Sequence, residues 1–344
     1  MILYKALPII FLGVFFIGCG SNSGNKKSDF SINTNASRGS LSINQTLNLS
    51  LENKKNHTID SIVYTLEGQR IAAETALQDF KLGKHLIEAT VYFEGQKQKA
   101  KTRIEILNDA PPKIYTYKII NEYPHDITSY TQGLEFYNDT LYESTGQYKE
   151  SKLRQVDYKT GKVLKNIDLP NAFFGEGLTV LNNKIYQLTW RAGRGFVYDL
   201  QSFKKLKSFE YGQSKEGWGL CNDGKVIYKS DGSEDIWILD SETLEEKSHI
   251  QVYTNKGKIV EINELEWING MIYANRYQKN GVAIINPKNG AVTGVIDFTP
   301  LRRKVTQHPD LDVLNGIAYN PKTNTIFVTG KDWDKLFEVE IVEK

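Results

Sequence analysis

One short motif returns five times in the last two thirds of this chain, and it limits the possible folds more than any other feature. The segments QGLEF (132–136), EGLTV (176–180), WGLCN (218–222), NELEW (263–267) and NGIAY (315–319) align, with starts 44, 42, 45 and 52 residues apart. Self-similarity at a period of roughly 40–50 residues indicates a propeller or a solenoid, in which each unit buries its apolar faces against its neighbours. The motif is followed by turn residues: Asn138-Asp139, Asn182-Asn183, Asp223-Gly224, Asn269-Gly270, and Asn320 to Asn324. Asn, Asp and Gly tolerate the positive φ of tight hairpins. A second strand follows in each repeat (TLYEST, KIYQLT, VIYKSD, MIYANR, TIFVTG), then a third that ends at Asp157, Asp199, Asp240 or Asn286. The first four repeats add a fourth, such as KVLKNIDL (162–169) and AVTGVIDF (291–298).

The fifth repeat stops after its third strand, LFEVEI (336–341). A missing outer strand leaves an open sheet edge, which proteins normally cover. The unpartnered strand pattern KIYTYKIINEY (113–123) is predicted to fill it and close the ring. Four strands per unit, five units and this closure predict an all-β fold, a five-bladed β-propeller over 113–344. A β-solenoid accommodates repeats of this length and strand number less well. Upstream, residues 29–107 alternate in SLSINQTLNLSL (40–51), DSIVYTL (60–66), KHLIEATVYFE (84–94) and QKAKTRIEIL (98–107). That pattern predicts a small immunoglobulin-like β-sandwich, with 108–112 (NDAPP) as linker. It holds no catalytic constellation and reads as a spacer or docking module.

In a propeller the first strand of each blade lines the channel. The residues opening it are Gln132, Glu176, Trp218, Asn263 and Asn315. A second set, Gly146, Trp190, Gly232, Tyr277 and Lys331, lies 14 residues later in four repeats and 16 later in the fifth. The hairpin turn falls midway, so antiparallel pairing returns both sets to one end of the channel. One mouth would then hold a carboxylate, a lysine, aromatic rings and carboxamides, the pattern of a binding site with convergent polar groups. Any single Asn or Gln there could merely close a turn. Glu176, Lys331 and Trp218 together are harder to explain without a function, because charges are rarely enclosed.

YTQGLEF (130–136), FGEGLT (174–179), EGWGL (216–220), INELEW (262–267) and VTGKDWDKLFEV (328–339) resemble motifs of the plant and bacterial glutaminyl cyclases, or glutamine cyclotransferases. The resemblance runs from about residue 115 to the C-terminus. It implies a five-bladed propeller that converts N-terminal glutamine of peptides or proteins into pyroglutamate with release of ammonia, without metal or other cofactor. It implies Glu176 as the essential acid, Gln132, Trp218, Asn263 and Lys331 as pocket residues and Trp190 as a pocket wall; position in the repeat adds Tyr277 and Asn315 to the substrate-binding set, and Lys331 is expected to act with Glu176 in catalysis. Tyr277 stands where the family usually shows tryptophan. The residue chemistry agrees. Enclosing the amine beside the side-chain amide supplies proximity, a carboxyl group can shuttle the proton to departing ammonia, and a lysine or carboxamide can stabilise the oxyanion.

The N-terminus reads as a targeting segment. Lys5 precedes an apolar run from Ala6 to Gly18, too short to span a bilayer as a helix. FIGC (16–19) resembles a bacterial lipobox with Phe16 in place of the usual leucine. It marks residues 1–19 as a lipoprotein signal, Cys19 as the lipidated residue and 20–28 as a polar tether; a plain cleaved secretory signal is the alternative. The expected location is the bacterial cell envelope, on the outer membrane, facing the periplasm or the cell surface. Cys221 would then be the only thiol of the protein chain itself, buried on an inner strand. The five histidines are scattered without ligand spacing, and His125 reads as a surface-loop residue. The insertion 299–313 is expected to form a flap over the channel. A net charge of +2 gives no case for nucleic acid. The expected partners are a Gln-initiated peptide and the membrane, for a monomeric protein. The competing function is a non-catalytic propeller, a ligand-binding or scaffold lipoprotein. Fold alone does not choose between them; the polar channel mouth favours the enzyme.

Overall fold

The computed structural model describes residues 28–344; the lipobox and Cys19 lie outside the described residues. Among those residues the only helical element is the 3₁₀ turn Leu301–Arg303, and everything else regular is strand. The first eight strands, Phe30–Thr34 to Gln96–Leu107, form a three-stranded and a five-stranded sheet around one apolar core. Alternate residues of Gly83–Phe93 are buried, as expected of a strand with one face inward.

The repeats form successive four-stranded antiparallel units: Thr131–Asp168, Gly175–Glu210, Leu220–Gln251 and Ile262–Asp297. The last repeat contributes Leu314–Asn320, Thr325–Gly330 and Lys335–Glu343. From Tyr115 to Pro124 the strand Lys113–Pro124 pairs antiparallel with Lys335–Glu343, and its first three residues pair parallel with Gly294–Ile296. It thus caps the open edge and welds the last two units into an eight-stranded sheet.

The five first strands contact one another in a closed cycle, with Thr131–Tyr137 touching both Gly175–Leu181 and Leu314–Asn320. A separate apolar cluster fills each of the five gaps between neighbouring units. In the gap that closes the ring, Leu134, Phe136 and Val156 meet Ala318, Phe327 and Leu336. Both faces of the inner strands are covered, so GEGLTV is buried at every position, whereas KLKSFE at the rim is exposed at five of six.

The inner strands meet closely at the axis. A Cβ on Gly219 would lie 2.1 Å from the carbonyl of Asn263, and one on Gly177 2.6 Å from the backbone of Gly219. In the fourth repeat the equivalent residue is Glu264. Its carboxylate reaches across the axis and accepts backbone N–H groups from Ile317 (3.1 Å) and Leu134 (3.4 Å). Cys221 is fully buried, as expected, and burial pushes its thiol well up.

The sandwich, expected as a spacer or docking module, packs against the propeller. Tyr253 and Ala291 of the propeller belong to its core cluster, the Leu82 amide donates to Asn289 (2.9 Å), and Lys84 N–H donates to the Gln251 side chain (2.7 Å). The insertion 299–313, expected as a flap over the channel, is held down by its apolar residues: Leu301, Val305 and Leu311 are buried in the cluster between the fourth and fifth units.

Candidate active site

In four repeats the strand pairing slips at the residue that opens the motif. The register shifts lie between Thr131 and Gly133, Gly175 and Leu178, Ile262 and Leu265, and Leu314 and Ile317. Bulges of this kind re-aim side chains, and here they turn Gln132, Glu176 and Asn263 into the channel. The third repeat reaches the same result by starting its strand later, at Leu220, so that Trp218 precedes it. Gly232 makes room for that ring: a Cβ there would lie 2.6 Å from the indole.

These side chains meet at a cavity of about 160 Å³ lined by Tyr130, Gln132, Gln147, Phe174, Glu176, Trp190, Trp218, Asn263, Tyr277 and Lys331. Seven of the eight residues expected at the site line it. Asn315 does not. It stands behind Gln132, donating to the Gln132 side-chain Oε1 (3.1 Å) and to the Thr131 backbone carbonyl (2.9 Å). Gln132 in turn donates to Glu176 Oε1 (3.0 Å), so Asn315 orients Gln132 rather than facing the cavity.

Glu176 is 4% exposed. Burial drives its carboxyl well above the usual range; Lys331 opposes this and the Glu216 charge adds to it. Lys331 is 2% exposed. Burial pulls its ammonium down, against Glu176, Asp312 and Asp332. Its Nζ lies 4.4 Å from the Tyr130 ring centre and 5.3 Å from that of Tyr277, and it makes no hydrogen bond among the described residues. The rings stabilise the cation while leaving its donors free. Tyr277 stands edge-on to Trp218 at 5.7 Å, so the aromatic wall continues where the family usually has tryptophan.

The expectation for His125 is overturned. Its side chain is 4% exposed and lies 3.1 Å from Glu143, with Nδ1 2.7 Å from the Trp333 carbonyl. Glu143 also accepts from Thr131 (2.8 Å). This buried pair ties the segment before Gln132 to the loop after Lys331, which is why the histidine is inside.

Sequence reasoning missed Tyr130, Gln147 and Phe174. The signal for two of them was present. Tyr130 and Phe174 sit two residues before Gln132 and Glu176, and residues two apart share a face. Their carbonyls accept from Gly146 (2.8 Å) and Trp190 (3.0 Å), which places them opposite the second set. The same step back in the third repeat reaches Glu216, which contacts both tryptophans.

One mouth of a β-propeller thus encloses a carboxyl raised by burial, a lysine lowered by burial, and aromatic rings around both. This defines a site for a small polar group with its own acid–base pair. A family model described as glutamine cyclotransferase matches residues 87–341, starting inside the sandwich rather than near residue 115. A glutaminyl-peptide cyclotransferase of Arabidopsis thaliana is 40% identical over 236 residues, covering 68% of this chain and 73% of that protein. The crystal structure of Myxococcus xanthus glutaminyl cyclase matches with a TM-score of 0.63 at 36% identity, over 68% of this chain and 99% of that one. The chain belongs to the glutamine cyclotransferase family.

Proposed function

We infer that the protein is a glutaminyl-peptide cyclotransferase, closing an N-terminal glutamine into pyroglutamate with release of ammonia. The observation that carries this reading is the shared burial of Glu176 and Lys331 in one small cavity, each shifted towards its neutral form. A general acid–base group works best when its proton affinity lies near the operating pH, and burial moves this carboxyl in that direction.

The neutral α-amine attacks the side-chain amide carbon, and a C–N bond forms. Glu176 takes the proton released by the amine and delivers it to the amide nitrogen, whose bond to carbon breaks as ammonia leaves. The oxyanion of the tetrahedral intermediate is met by Lys331, whose donors are uncommitted. Gln132 holds Glu176 through its amide N–H. Trp190, Trp218, Phe174 and Tyr277 exclude water and hold the chain close to the geometry of the ring it forms. Asn263 lines the cavity with its side-chain oxygen unpaired among the described residues, and it is assigned to the substrate amine or amide.

The reading includes no metal. Glu176 is the only carboxylate lining the cavity, and no histidine or cysteine lines it, so the donor set does not suit zinc. The FIGC segment supports a lipid anchor at Cys19 on the envelope; loss of acyl labelling in Cys19→Ala would show it.

The direct test is to incubate the purified protein with a Gln-initiated peptide, with and without a strong chelator. The expected result is loss of the mass of one ammonia, equally fast in both. No mass change would overturn the function, and chelator-sensitive turnover restored by zinc would overturn the mechanism.

A further inference from the structure

Glu216 lies in the segment between the second and third units, two residues before Trp218, and is not among the residues lining the cavity. Its carboxylate nevertheless touches the cavity wall twice. Oε2 accepts the indole N–H of Trp190 (2.8 Å), from the second repeat, and that of Trp218 (2.9 Å), from the third. Oε1 accepts from Arg191 Nε (3.0 Å), and the Arg191 guanidinium lies 3.8 Å from the Trp190 ring centre, covering its outer side. The backbone beneath is fixed as well. The fully buried Lys229 donates to the Glu216 carbonyl (2.8 Å) and lies 4.2 Å from the Tyr211 ring centre.

We propose that Glu216 is a positioning residue for cyclisation, with a single carboxylate oxygen fixing two tryptophans from different blades in one mutual geometry. The proposal deepens the cyclotransferase reading and rests on it. An indole has only one N–H, so with both donors on one acceptor, neither ring can rotate without breaking a charge-assisted bond. The opening between these rings sets where the glutaminyl side chain lies relative to Glu176.

The same carboxylate has an electrostatic consequence. Burial pushes Glu216 up, but the bonds from Trp218, Arg191 and Trp190 outweigh it and hold the carboxyl below its usual range, so it is charged at neutral pH. That charge raises Glu176. The other groups bearing on Glu176 are Lys331, which opposes the rise, Gln132, which donates to it, and the phenols of Tyr130 and Tyr211.

Two substitutions separate the effects. Glu216→Ala removes both acceptor and charge. It is expected to raise KM for a Gln-initiated peptide by roughly tenfold or more, the scale for losing hydrogen bonds to a charged group, and to make the tryptophan emission more accessible to acrylamide. Glu216→Gln keeps a carbonyl acceptor and removes the charge. It is expected to recover most of the affinity while moving the ascending limb of the kcat profile to lower pH, because Glu176 loses the neighbour that raises it. A purely structural role predicts something else: a lowered Tm in both variants with unchanged KM, quenching and pH profile. That outcome would overturn the proposal. Absence of turnover in the unsubstituted protein would overturn the functional reading instead, and the quenching comparison would still decide whether Glu216 holds the rings.

Discussion

The two ends of the channel both hold buried carboxylates, yet they are built differently. At the pocket end, Glu176 shares a cavity of about 160 Å³ with Lys331 and accepts one side-chain hydrogen bond, from Gln132. Towards the other end, Glu135 and Glu266 line a wider depression of about 550 Å³, with Glu264 between the two regions. Burial raises all three of these carboxyls too. Each of them, however, accepts at least one hydrogen bond from a neighbouring backbone N–H. Glu135 accepts from Val180 N (3.0 Å) and the Thr179 hydroxyl (2.6 Å), and Glu266 accepts from Tyr319 N (2.8 Å). Neither the larger void nor the raised carboxyls identify a reaction site. What separates Glu176 is an opposing ammonium, aromatic walls and free space at the acid.

The largest expected effect breaks the comparison from the pocket side. Glu176→Gln should lower kcat by roughly 10²–10⁴-fold, the range for a positioned acid–base group, without lowering Tm, since it removes a buried ionisable group and keeps its shape. Turnover near that of the unsubstituted enzyme would put Glu176 in the same class as Glu264. Next, Lys331→Met should lower kcat by about 10²–10³-fold if the ammonium meets the oxyanion; a pure KM effect would reassign it to binding.

From the other side, Glu264→Ala should leave kcat unchanged but cost roughly 1–3 kcal/mol for each buried N–H left without an acceptor. Urea unfolding measures this, and a selective loss of kcat would move Glu264 into the chemistry. The smallest effect is a pH slope. Burial lifts Glu135 to about 7, above its value in an unfolded chain. Its contribution to stability is therefore full below the unfolded carboxylate range and is lost as pH rises through about 7. In Glu135→Gln the decline in Tm between neutral and mildly alkaline pH should be shallower than in the unsubstituted protein. Equal slopes would show that backbone hydrogen bonds hold Glu135 ionised.

Much of this was legible in the chain because a propeller repeats its local rules. The recurring motif placed every inner strand, and the Asn, Asp and Gly turns located the hairpins, as with Asn138-Asp139 between Thr131–Tyr137 and Thr140–Thr145. The offset to the second set, 14 residues or in the fifth repeat 16, placed Trp190, Tyr277 and Lys331 at the same mouth as Glu176. Repetition also pointed to the unpaired edge that Lys113–Pro124 covers.

What local rules left open depends on contacts between units. Whether a polar residue faces the cavity or stands behind another, as Asn315 does behind Gln132, depends on bulges and on how neighbouring first strands approach at the axis. His125 is buried because Glu143 and the Trp333 carbonyl, 18 and 208 residues away, converge on it. The sandwich is anchored because Tyr253 fills its core. Periodicity along a strand tells which residues share a face; it does not say what faces them from another blade. That pairing decides which buried acid is held by backbone and which is left free to move a proton, and only the closed ring sets it.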